Sequence, residues 1–469
     1  MHWKIYIILI IVPLTTKRIV VSAWPQCAEF RFENNDKNLN TEEKRIKQQI
    51  PKLFESYEYG NYSGVERTLK SLESLRVADE TFQRHESAAL KTVSIEVEQI
   101  EKDGYPFSVH NVITNDGYIL ELHRIGYANS TESRTPVFLM HGLLESSNGW
   151  IALGPDHSLA YLLYDNGYDV WMGNARGTKS SKNHIYLSAS DHRRKQYWSF
   201  SLHEIGIYDL PACIDHVLRD TNQKRLHYIA FSQGTSVFFI MLAQRPEYND
   251  KIVSMIALAP IVFMKHSQNY LLNILDSYNA LIRRILNFMK FYSIDAGNKA
   301  LRWIAEFACR KINDQSPVPC QFILYCLDSN QINCTSLPRI VEHIPNSASL
   351  KQLYHFAQLK RTGQFRQYDH QNKKLNQKYY GMPQPPMYKI SYVRVPITII
   401  YSKSDESANF TDVEYLSTQL PHVQNLYRIP SDDFKHIDFI YSRFVRKLLN
   451  DKIIIFLNAS KINTVIEND

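Results

Sequence analysis

The chain has little that would suit it to nucleic acid or to a bilayer-spanning role. It contains no cysteine pairs at zinc-binding spacing and no arginine-rich tract, and its formal charge is only +7 over 469 residues. Its one strongly apolar N-terminal run, Ile5 to Leu14, is too short to span a bilayer, and no later run approaches that length. These absences argue against a nucleic-acid partner and against a transmembrane segment in the mature chain.

The composition is that of a globular enzyme. Hydrophobic residues make up 44% and charged residues 22%, and tyrosine is plentiful at 29. Such values exclude disordered and fibrous classes, and the length is ample for one large core that carries a cap.

The first 23 residues read as a cleaved secretory signal. Lys4 precedes the apolar run, and the small-residue site Val21-Ser22-Ala23 follows it. The alternative is an interfacial anchor that stays attached. Glycosylation sequons agree with export, and they begin at Asn61, Asn129, Asn333, Asn409 and Asn458. We therefore expect a protein of the secretory pathway.

The six cysteines are unevenly placed. Four of them, Cys309, Cys320, Cys326 and Cys334, lie in one short segment, so at least one local disulfide is expected in an oxidising compartment. Spacing alone does not give the pairing. Cys213 lies in an apolar helical pattern and is expected to be a buried free thiol.

The remaining chain divides by its patterning. Residues 24–91 are polar and mixed in charge, and they form either an accessory pro-segment or a helical decoration without a regulatory role. A hairpin pattern around Asn115-Asp116-Gly117 opens the core. Short apolar runs then alternate with helical patterns through residues 92–262 and resume at 393–469. This rhythm predicts an α/β fold with a mostly parallel central sheet and helices on both faces.

The strand rhythm stops between residues 263 and 392. Amphipathic patterns, the cysteine cluster and a Pro-rich stretch replace it. An insertion between core strands would lie over the carboxyl ends of the strands, where such folds carry their sites. We therefore expect a helical cap, or lid, above a functional site.

The motif that carries chemistry is Ala230-Phe231-Ser232-Gln233-Gly234, which follows an apolar strand and precedes a helical pattern. A serine in a sharp strand-turn-helix needs small neighbours and has its hydroxyl raised at the sheet edge. Ala230 stands where glycine is usual, which adds one methyl group. We predict that Ser232 is a nucleophile.

A serine nucleophile requires a base, and the base requires an orienting carboxylate. Asp405 follows the predicted strand Ile397 to Tyr401, and His436 follows a second predicted strand, Leu426 to Pro430. The chain order Ser, Asp, His is that of α/β-hydrolases. Asp405 is preferred as the acid over Asp432, Asp433 and Asp438, because these three are too close to His436 in sequence to come from a separate strand end.

Two backbone amides are candidates for an oxyanion site. His141-Gly142-Leu143-Leu144 follows the strand Val137 to Met140, so the amide of Leu143 is expected to pair with that of Gln233. His141 invites a catalytic interpretation, but we expect it to shape the loop.

Several separate segments resemble the acid lipase family, which includes gastric and lysosomal lipases and their insect relatives. The segments lie between about Val93 and Leu457, and they include Asn115-Asp116-Gly117-Tyr118, His141-Gly142-Leu143-Leu144, Gly173-Asn174-Ala175-Arg176-Gly177, Tyr208-Asp209-Leu210-Pro211 and His436-Ile437-Asp438-Phe439. The resemblance implies an α/β-hydrolase fold with an inserted lid. It also implies hydrolysis of triacylglycerols or sterol esters at a lipid–water interface without metal or cofactor, in a secreted or lysosomal setting. Cys309 and Cys320 are similar to the family's cap disulfide pair.

Some positions depart from the family. Phe231 stands where the family has His and Ala230 where it has Gly. We expect these departures to affect the turnover rate and the fit of the substrate more than the type of reaction. Two alternatives to a lipase stay open: a lipid-binding or storage protein that kept the fold, and an esterase for short soluble esters.

Overall fold

The computed structural model describes residues 95–126, 134–190, 194–269 and 343–466, with short pieces at 272–273, 275, 292–294, 329, 331–333, 335–336 and 339–340. The chain divides into two compact units, 1–91 with 278–297 and 92–277 with 298–469. In the first unit the described residues are 292–294, which contain strand β8, Ser293–Ile294. The signal, the 24–91 segment, Asn61, Asn129 and the four clustered cysteines lie outside the described residues.

The second unit is built on a nine-stranded sheet. Its strands are β1 Phe107–Ile113, β2 Tyr118–Ile125, β3 Thr135–Met140, β4 Tyr168–Gly173, β5 Asn183–His184, β6 Leu226–Phe231, β7 Ile252–Leu258, β10 Ile397–Tyr401 and β11 Val423–Arg428. The order is β1-β2-β4-β3-β6-β7-β10-β11, with β5 beside β2. Six strands from β4 to β11 pair in parallel, whereas β2 pairs antiparallel with β1, β4 and β5. The expected mostly parallel sheet is confirmed.

Helices connect these strands. The α-helices are α1 Ile95–Lys102, α2 Leu159–Asp165, α3 Arg194–Tyr197, α4 Leu202–Glu204, α5 Leu210–Asp220, α6 Gln233–Gln244, α7 Leu350–Thr362, α8 Lys373–Tyr380, α9 Phe410–Gln419, α10 Asp438–Tyr441 and α11 Asp451–Ile466. Short 3-10 helices span Ser147–Trp150, Pro246–Lys251 and Ile390–Tyr392, and π-helical turns span Ile205–Asp209 and Arg446–Asn450. A further short strand, β9, spans Ala348–Ser349.

The central strands are buried on both faces. Every residue of β4, β6 and β10 is buried, which explains why these strands read as continuous apolar runs rather than as alternating patterns. Helix α6 is buried along its length except for its last residue. The turn at Ser232 therefore joins a fully buried strand, β6, to an almost fully buried helix, which fixes its geometry.

The β1–β2 hairpin forms where the alternating pattern predicts it. Val112 pairs with Leu120 and Ile113 with Ile119 across an antiparallel ladder. Gly117 has φ +94°, a conformation that side chains rarely adopt, so the Asp-Gly turn depends on glycine at that position.

The last strand differs from its prediction. The apolar residues Leu426 to Pro430 predicted a strand there, but β11 spans Val423–Arg428. It lies at the edge of the sheet, and its residues alternate between half-buried and exposed. An edge strand with one solvated face has a weak apolar signal, so the sequence misplaced its start.

A buried ion cluster ties three segments of the core together. Arg176 is 1% exposed, and its Nη1 donates to Asp116 at 2.6 Å and its Nε to Asp209 at 2.7 Å. The guanidinium also lies 4.0 Å from the ring centre of Tyr118. Burial raises the pKa of Asp209 to about 6, although the Arg176 charge opposes that shift. Each partner is needed to compensate the burial of the others.

None of the helices in the described part of the chain combines the length and apolarity needed to cross a bilayer.

Candidate active site

Ser232 occupies a strained turn between β6 and α6. Its backbone has φ 52° and ψ −116°, which a residue with a side chain adopts only when the surrounding structure enforces it. Its amide donates to the carbonyl oxygen of Leu258 on β7 at 3.0 Å, and its carbonyl oxygen accepts from the amide of Thr235 at 3.0 Å. These bonds anchor the turn on both sides and leave the side chain directed away from the backbone ladder.

Gly234 shows why the turn needs a small residue after the serine. A Cβ at this position would lie 2.5 Å from the carbonyl oxygen of Met140 and 3.0 Å from that of His141. The first turn of α6 therefore packs directly on the end of β3. Ala230, on the other side, is fully buried between Met140 and Ala257 of the neighbouring strands. The sheet accommodates its extra methyl group without loss of strand pairing.

The structure brings Ser232, His436 and Asp405 together in a hydrogen-bonded chain. Nε2 of His436 lies 2.8 Å from Oγ of Ser232, and Nδ1 of His436 lies 2.7 Å from Oδ2 of Asp405. The serine and the aspartate are buried, whereas the imidazole is 24% exposed. Both distances are within hydrogen-bond range.

Asp405 is held by its own loop. Its Oδ1 accepts from the amides of Ser407 and Ala408, each at 2.8 Å, which leaves Oδ2 for His436. These bonds from backbone amides hold the carboxylate in place. Asp438, the nearest alternative acid, instead accepts from the amide of Lys435 at 2.7 Å and from the hydroxyl of Ser329. The two carboxylates therefore have different partners.

The loop of residues 141–145 follows β3 and lies beside the elbow. Nδ1 of His141 donates to the carbonyl oxygen of Gly142 at 2.7 Å, and Nε2 accepts from the amide of Ala175 at 3.1 Å. Burial lowers the pKa of His141 to about 4, so the imidazole is neutral. Its two ring nitrogens are both engaged with backbone groups, those of Gly142 and Ala175.

Leu143 and Gln233 present their amides from the two segments that meet at Gly234. Within the described residues neither amide donates a hydrogen bond. By contrast, the amide of Gly142 donates to Glu145, and the carbonyl of Leu144 accepts from the amide of Asn346 at 2.6 Å. Leu144 has φ 63°, a further strained position in the loop. The loop is thus fixed on both sides of an amide that is available to a ligand.

Phe231, one of the departures noted above, packs against the histidine. Its ring centre lies 4.8 Å from that of His436, and it is 3% exposed. It also stacks on Phe439, which follows the histidine in sequence. An apolar ring on this side confines the imidazole without offering it a hydrogen bond.

Glu145 is the residue that the sequence did not single out. It is 6% exposed, and its Oε2 accepts from the amide of Gly142 at 3.0 Å. The hydroxyl of Tyr441, at the end of α10, also bonds to this carboxylate. The only sequence signal was a charged residue inside an otherwise apolar and small-residue loop, and charge alone does not distinguish a buried carboxylate from a solvated one.

Three of the predicted glycosylation sites fall on described residues. Asn333 and Asn458 are exposed, and Asn409 is half-buried at the start of α9. The Oδ1 atoms of all three accept hydrogen bonds, from the Thr335 amide, the Tyr168 hydroxyl and the Thr411 amide in turn.

Comparison with known proteins agrees with the fold. The alpha/beta hydrolase fold family matches residues 135–442, and the partial alpha/beta-hydrolase lipase region matches residues 97–154. Lipase 1 of Drosophila melanogaster is 39% identical over 381 residues, covering 80% of this chain and 82% of that protein. Human gastric triacylglycerol lipase is 33% identical over 362 residues, with 76% and 89% covered, and human lipase member K is 35% identical over 341 residues, with 72% and 84% covered.

The sheet order, the elbow and these matches define the chain as an α/β-hydrolase that acts on carboxylic esters. Within that class, the chain belongs to the acid lipase family, together with the gastric-type and insect lipases. The resemblance noted in the sequence is confirmed.

Proposed function

We propose that this protein is a lipase that hydrolyses neutral lipid esters, triacylglycerols or sterol esters, through an acyl-enzyme formed on Ser232. The observation that carries the proposal is the hydrogen-bonded chain from Ser232 through His436 to Asp405, with 2.8 Å and 2.7 Å contacts. A buried serine with an imidazole on its hydroxyl and a carboxylate on the far nitrogen is the arrangement that activates a hydroxyl for acyl transfer.

In the first half of the reaction, Oγ of Ser232 attacks the ester carbonyl and Nε2 of His436 takes the hydroxyl proton. The imidazolium that forms is stabilised by Asp405, whose bonds to the amides of Ser407 and Ala408 keep it in place. Collapse of the tetrahedral intermediate breaks the ester bond. His436 then gives its proton to the departing alcohol.

In the second half, a water molecule attacks the acyl-enzyme with His436 again as the base. The fatty acid leaves and the proton returns to Ser232. In both halves the negative oxygen of the intermediate is bound by the amides of Leu143 and Gln233, which donate no hydrogen bonds within the described residues. No step requires a metal ion or a cofactor.

The substrate class is supported by the relatives. The human protein that is 33% identical is named a gastric triacylglycerol lipase, and the Drosophila relatives are named lipases. We infer that this protein also works at a lipid–water interface. The sequons, the apolar N-terminus and the family together support a secretory-pathway protein, secreted or lysosomal, with Asn333 and Asn458 as exposed glycan carriers.

The proposal is tested by hydrolysis assays on the purified glycoprotein and its Ser232→Ala variant. Long-chain triacylglycerol, sterol ester and a short soluble ester are compared from acid to neutral pH. The proposal predicts turnover of at least one long-chain substrate and its loss, by about 10⁵-fold or more, in the variant.

Three outcomes contradict different parts of the proposal. Equal turnover by both proteins removes the role of Ser232. Activity confined to the short ester makes the protein an esterase for soluble substrates. Binding of lipid without turnover makes it a lipid-binding or storage protein.

A further inference from the structure

The 141–145 loop is held to the histidine segment by a carboxylate that the reaction described above does not use. Glu145 ends the loop, and its Oε2 accepts from the amide of Gly142 at 3.0 Å. A Cβ added to Gly142 would lie 2.8 Å from this same oxygen and 2.9 Å from the ring of Phe231, so the packing around the carboxylate is close. The contact therefore leaves little freedom to the peptide that precedes Leu143.

The other side of the carboxylate faces the segment that carries the general base. Tyr441 lies in α10, directly after the His436 loop, and its hydroxyl bonds to Glu145. Burial raises the pKa of Tyr441 well above its ordinary value, so this hydroxyl keeps its proton and donates it to the carboxylate. Glu145 thus connects the loop to the element that follows the histidine.

Resting on the proposed function, we propose that Glu145 is a positioning residue, whose ionised carboxylate sets the Leu143 amide and couples the 141–145 loop to the His436 segment during acyl transfer. The loop is also fixed at Leu144 by Asn346, and His141 bonds to the carbonyl oxygen of the Gly142–Leu143 peptide. Glu145 fixes the other end of Gly142, at the amide of the His141–Gly142 peptide. Its charge also attracts the imidazolium that His436 becomes during the reaction.

Burial of this carboxylate makes the effect depend on pH. Desolvation raises the pKa of Glu145 to about 7, and the bonds from Gly142 and Tyr441 and the charge of His436 oppose that shift. The titratable groups that face it among the described residues are His436 and Tyr441. Protonation below about pH 7 removes the charge and one acceptor position, so the loop loses part of its anchor.

The same shift fixes the sign of a stability effect. The folded protein holds this proton more tightly than the unfolded chain, so folding stability falls as pH rises from about 4.5, the ordinary value, toward 7. If Glu145 serves only for packing, its replacement by an amide should not change turnover. If its carboxylate positions the loop, its ionised form should lower folding stability at high pH and raise turnover at the same pH.

The test is Glu145→Gln, with Glu247→Gln as the matched control because Glu247 is exposed and pairs with Arg245 on the surface. Rates on a soluble ester and melting temperatures are measured from pH 5 to pH 9. For Glu145→Gln we expect kcat at pH 8 to fall about tenfold with KM within about twofold. The ratio of wild-type to variant kcat should approach one at pH 5, where the wild-type carboxyl is protonated. The variant's melting temperature should exceed that of the wild type above pH 7, and the control should match the wild type throughout.

A wild-type kcat profile in Glu145→Gln, or a change confined to KM, would overturn the positioning role. If the melting temperatures of the wild type and of Glu145→Gln depend equally on pH, Glu145 is not a buried carboxylate that ionises in this range. Failure of the proposed function would be a separate result. A wild type without Ser232-dependent turnover would contradict the lipase proposal, and the pH dependence of the melting temperatures would still show whether Glu145 ionises.

A second feature, at the other end of the sheet, is independent of the reaction. His110 on the edge strand β1 faces His216 and Asp220, one helical turn apart on α5, and the ligand atoms of all three lie within 4.8 Å of one another. Nδ1 of His110 is 3.1 Å from Nε2 of His216 and 4.0 Å from Oδ1 of Asp220. Two donors bound tetrahedrally to Zn²⁺ stand about 3.3 Å apart, so small side-chain shifts would suffice.

The groups behind these side chains suit metal ligands. Nε2 of His110 lies 2.9 Å from Oγ of Ser108, which holds Nδ1 as the unprotonated nitrogen when Nε2 donates. Nη1 of Arg124 binds Oδ2 of Asp220 at 3.0 Å and leaves Oδ1 facing the histidines.

From this geometry we infer that His110, His216 and Asp220 form a three-ligand site for a divalent zinc-like cation that fastens β1 to α5. Arg219, whose Nη2 lies 3.4 Å from Nδ1 of His216, would move aside, since that nitrogen carries a proton when Nε2 binds metal. Arg219 is exposed and free to do so. The fourth position would be taken by water.

Calorimetric titration of the purified, chelator-treated full chain with Zn²⁺ tests the site. We expect one equivalent bound by the wild type and a loss of at least tenfold in affinity for His216→Gln. The matched control is His422→Gln, which removes an exposed imidazole at the opposite edge of the sheet. Binding that is equal in all three proteins, or absent from the wild type, would overturn the site.

Discussion

Replacing Gly234 with alanine tests whether the elbow sets the alignment of the Gln233 amide. The added Cβ would lie 2.5 Å from the Met140 carbonyl oxygen, whereas ordinary contacts begin at 3.4 Å. The start of α6 and the end of β3 must therefore separate by about 0.9 Å. A misplacement near 1 Å in a catalytic group costs roughly 10²-fold in rate, and overpacking costs about 1–3 kcal/mol of stability.

The measurement is kcat on a soluble ester, together with urea unfolding followed by fluorescence. For Gly234→Ala we expect a fall of about 100-fold in kcat and a folded protein at 25 °C. The control is Gly104→Ala, which has φ +85° and no atom within 4 Å of the added Cβ. It should lose about 1–2 kcal/mol through backbone strain and keep the wild-type kcat. A folded Gly234→Ala protein with kcat within twofold of the wild type would show that the turn at Ser232 does not set the alignment of the Gln233 amide.

Three further perturbations have clear expectations. Asp405→Asn should fold normally and lower kcat by about 10⁴-fold on a soluble ester, because the amide no longer holds His436 in the required tautomer; a loss below tenfold contradicts the role of the acid. Arg176→Ala should destabilise the protein by about 3–5 kcal/mol in urea unfolding, since it leaves Asp209 buried and unpaired, and a loss under 1 kcal/mol would be inconsistent with the buried cluster. Burial raises the pKa of the Cys213 thiol well above its usual value, so iodoacetamide should leave this thiol unmodified until the protein is unfolded. Alkylation of Cys213 in the native protein, detected by mass spectrometry, would contradict this expectation.

Much of the fold follows from the sequence because buried parallel strands leave a strong local signal. β10 has the predicted bounds, and β3 ends at the predicted residue, Met140, and begins two residues before the predicted Val137. The edge strand β11 was misplaced because its burial alternates and its apolar residues are few. Local patterning thus predicts strands in proportion to how fully the sheet covers them.

The candidate site divides in the same way. Ser232 lies in a strand-turn-helix whose geometry is local, so the motif places it. Asp405 and His436 follow strands at the same sheet edge, and chain order and strand position were enough to select them. The distances between these side chains result from tertiary packing, and no sequence pattern predicts them.

Glu145 shows where sequence reasoning ends. Its carboxylate bonds to Tyr441, which comes from a distant segment of the chain. A carboxylate in a surface loop has the same sequence pattern. The strained backbone of Leu144 is equally invisible, because nothing in a leucine signals a positive φ.

We propose that Ser232, activated by His436, forms the covalent acyl intermediate. The most direct measurement is peptide mass spectrometry after treatment of the folded protein with a long-chain alkyl fluorophosphonate, which traps an activated serine. We expect one adduct, on the peptide that contains Ser232, and its loss in a folded His436→Gln variant. Modification of another residue, or equal labelling of the wild type and the His436→Gln variant, would contradict it.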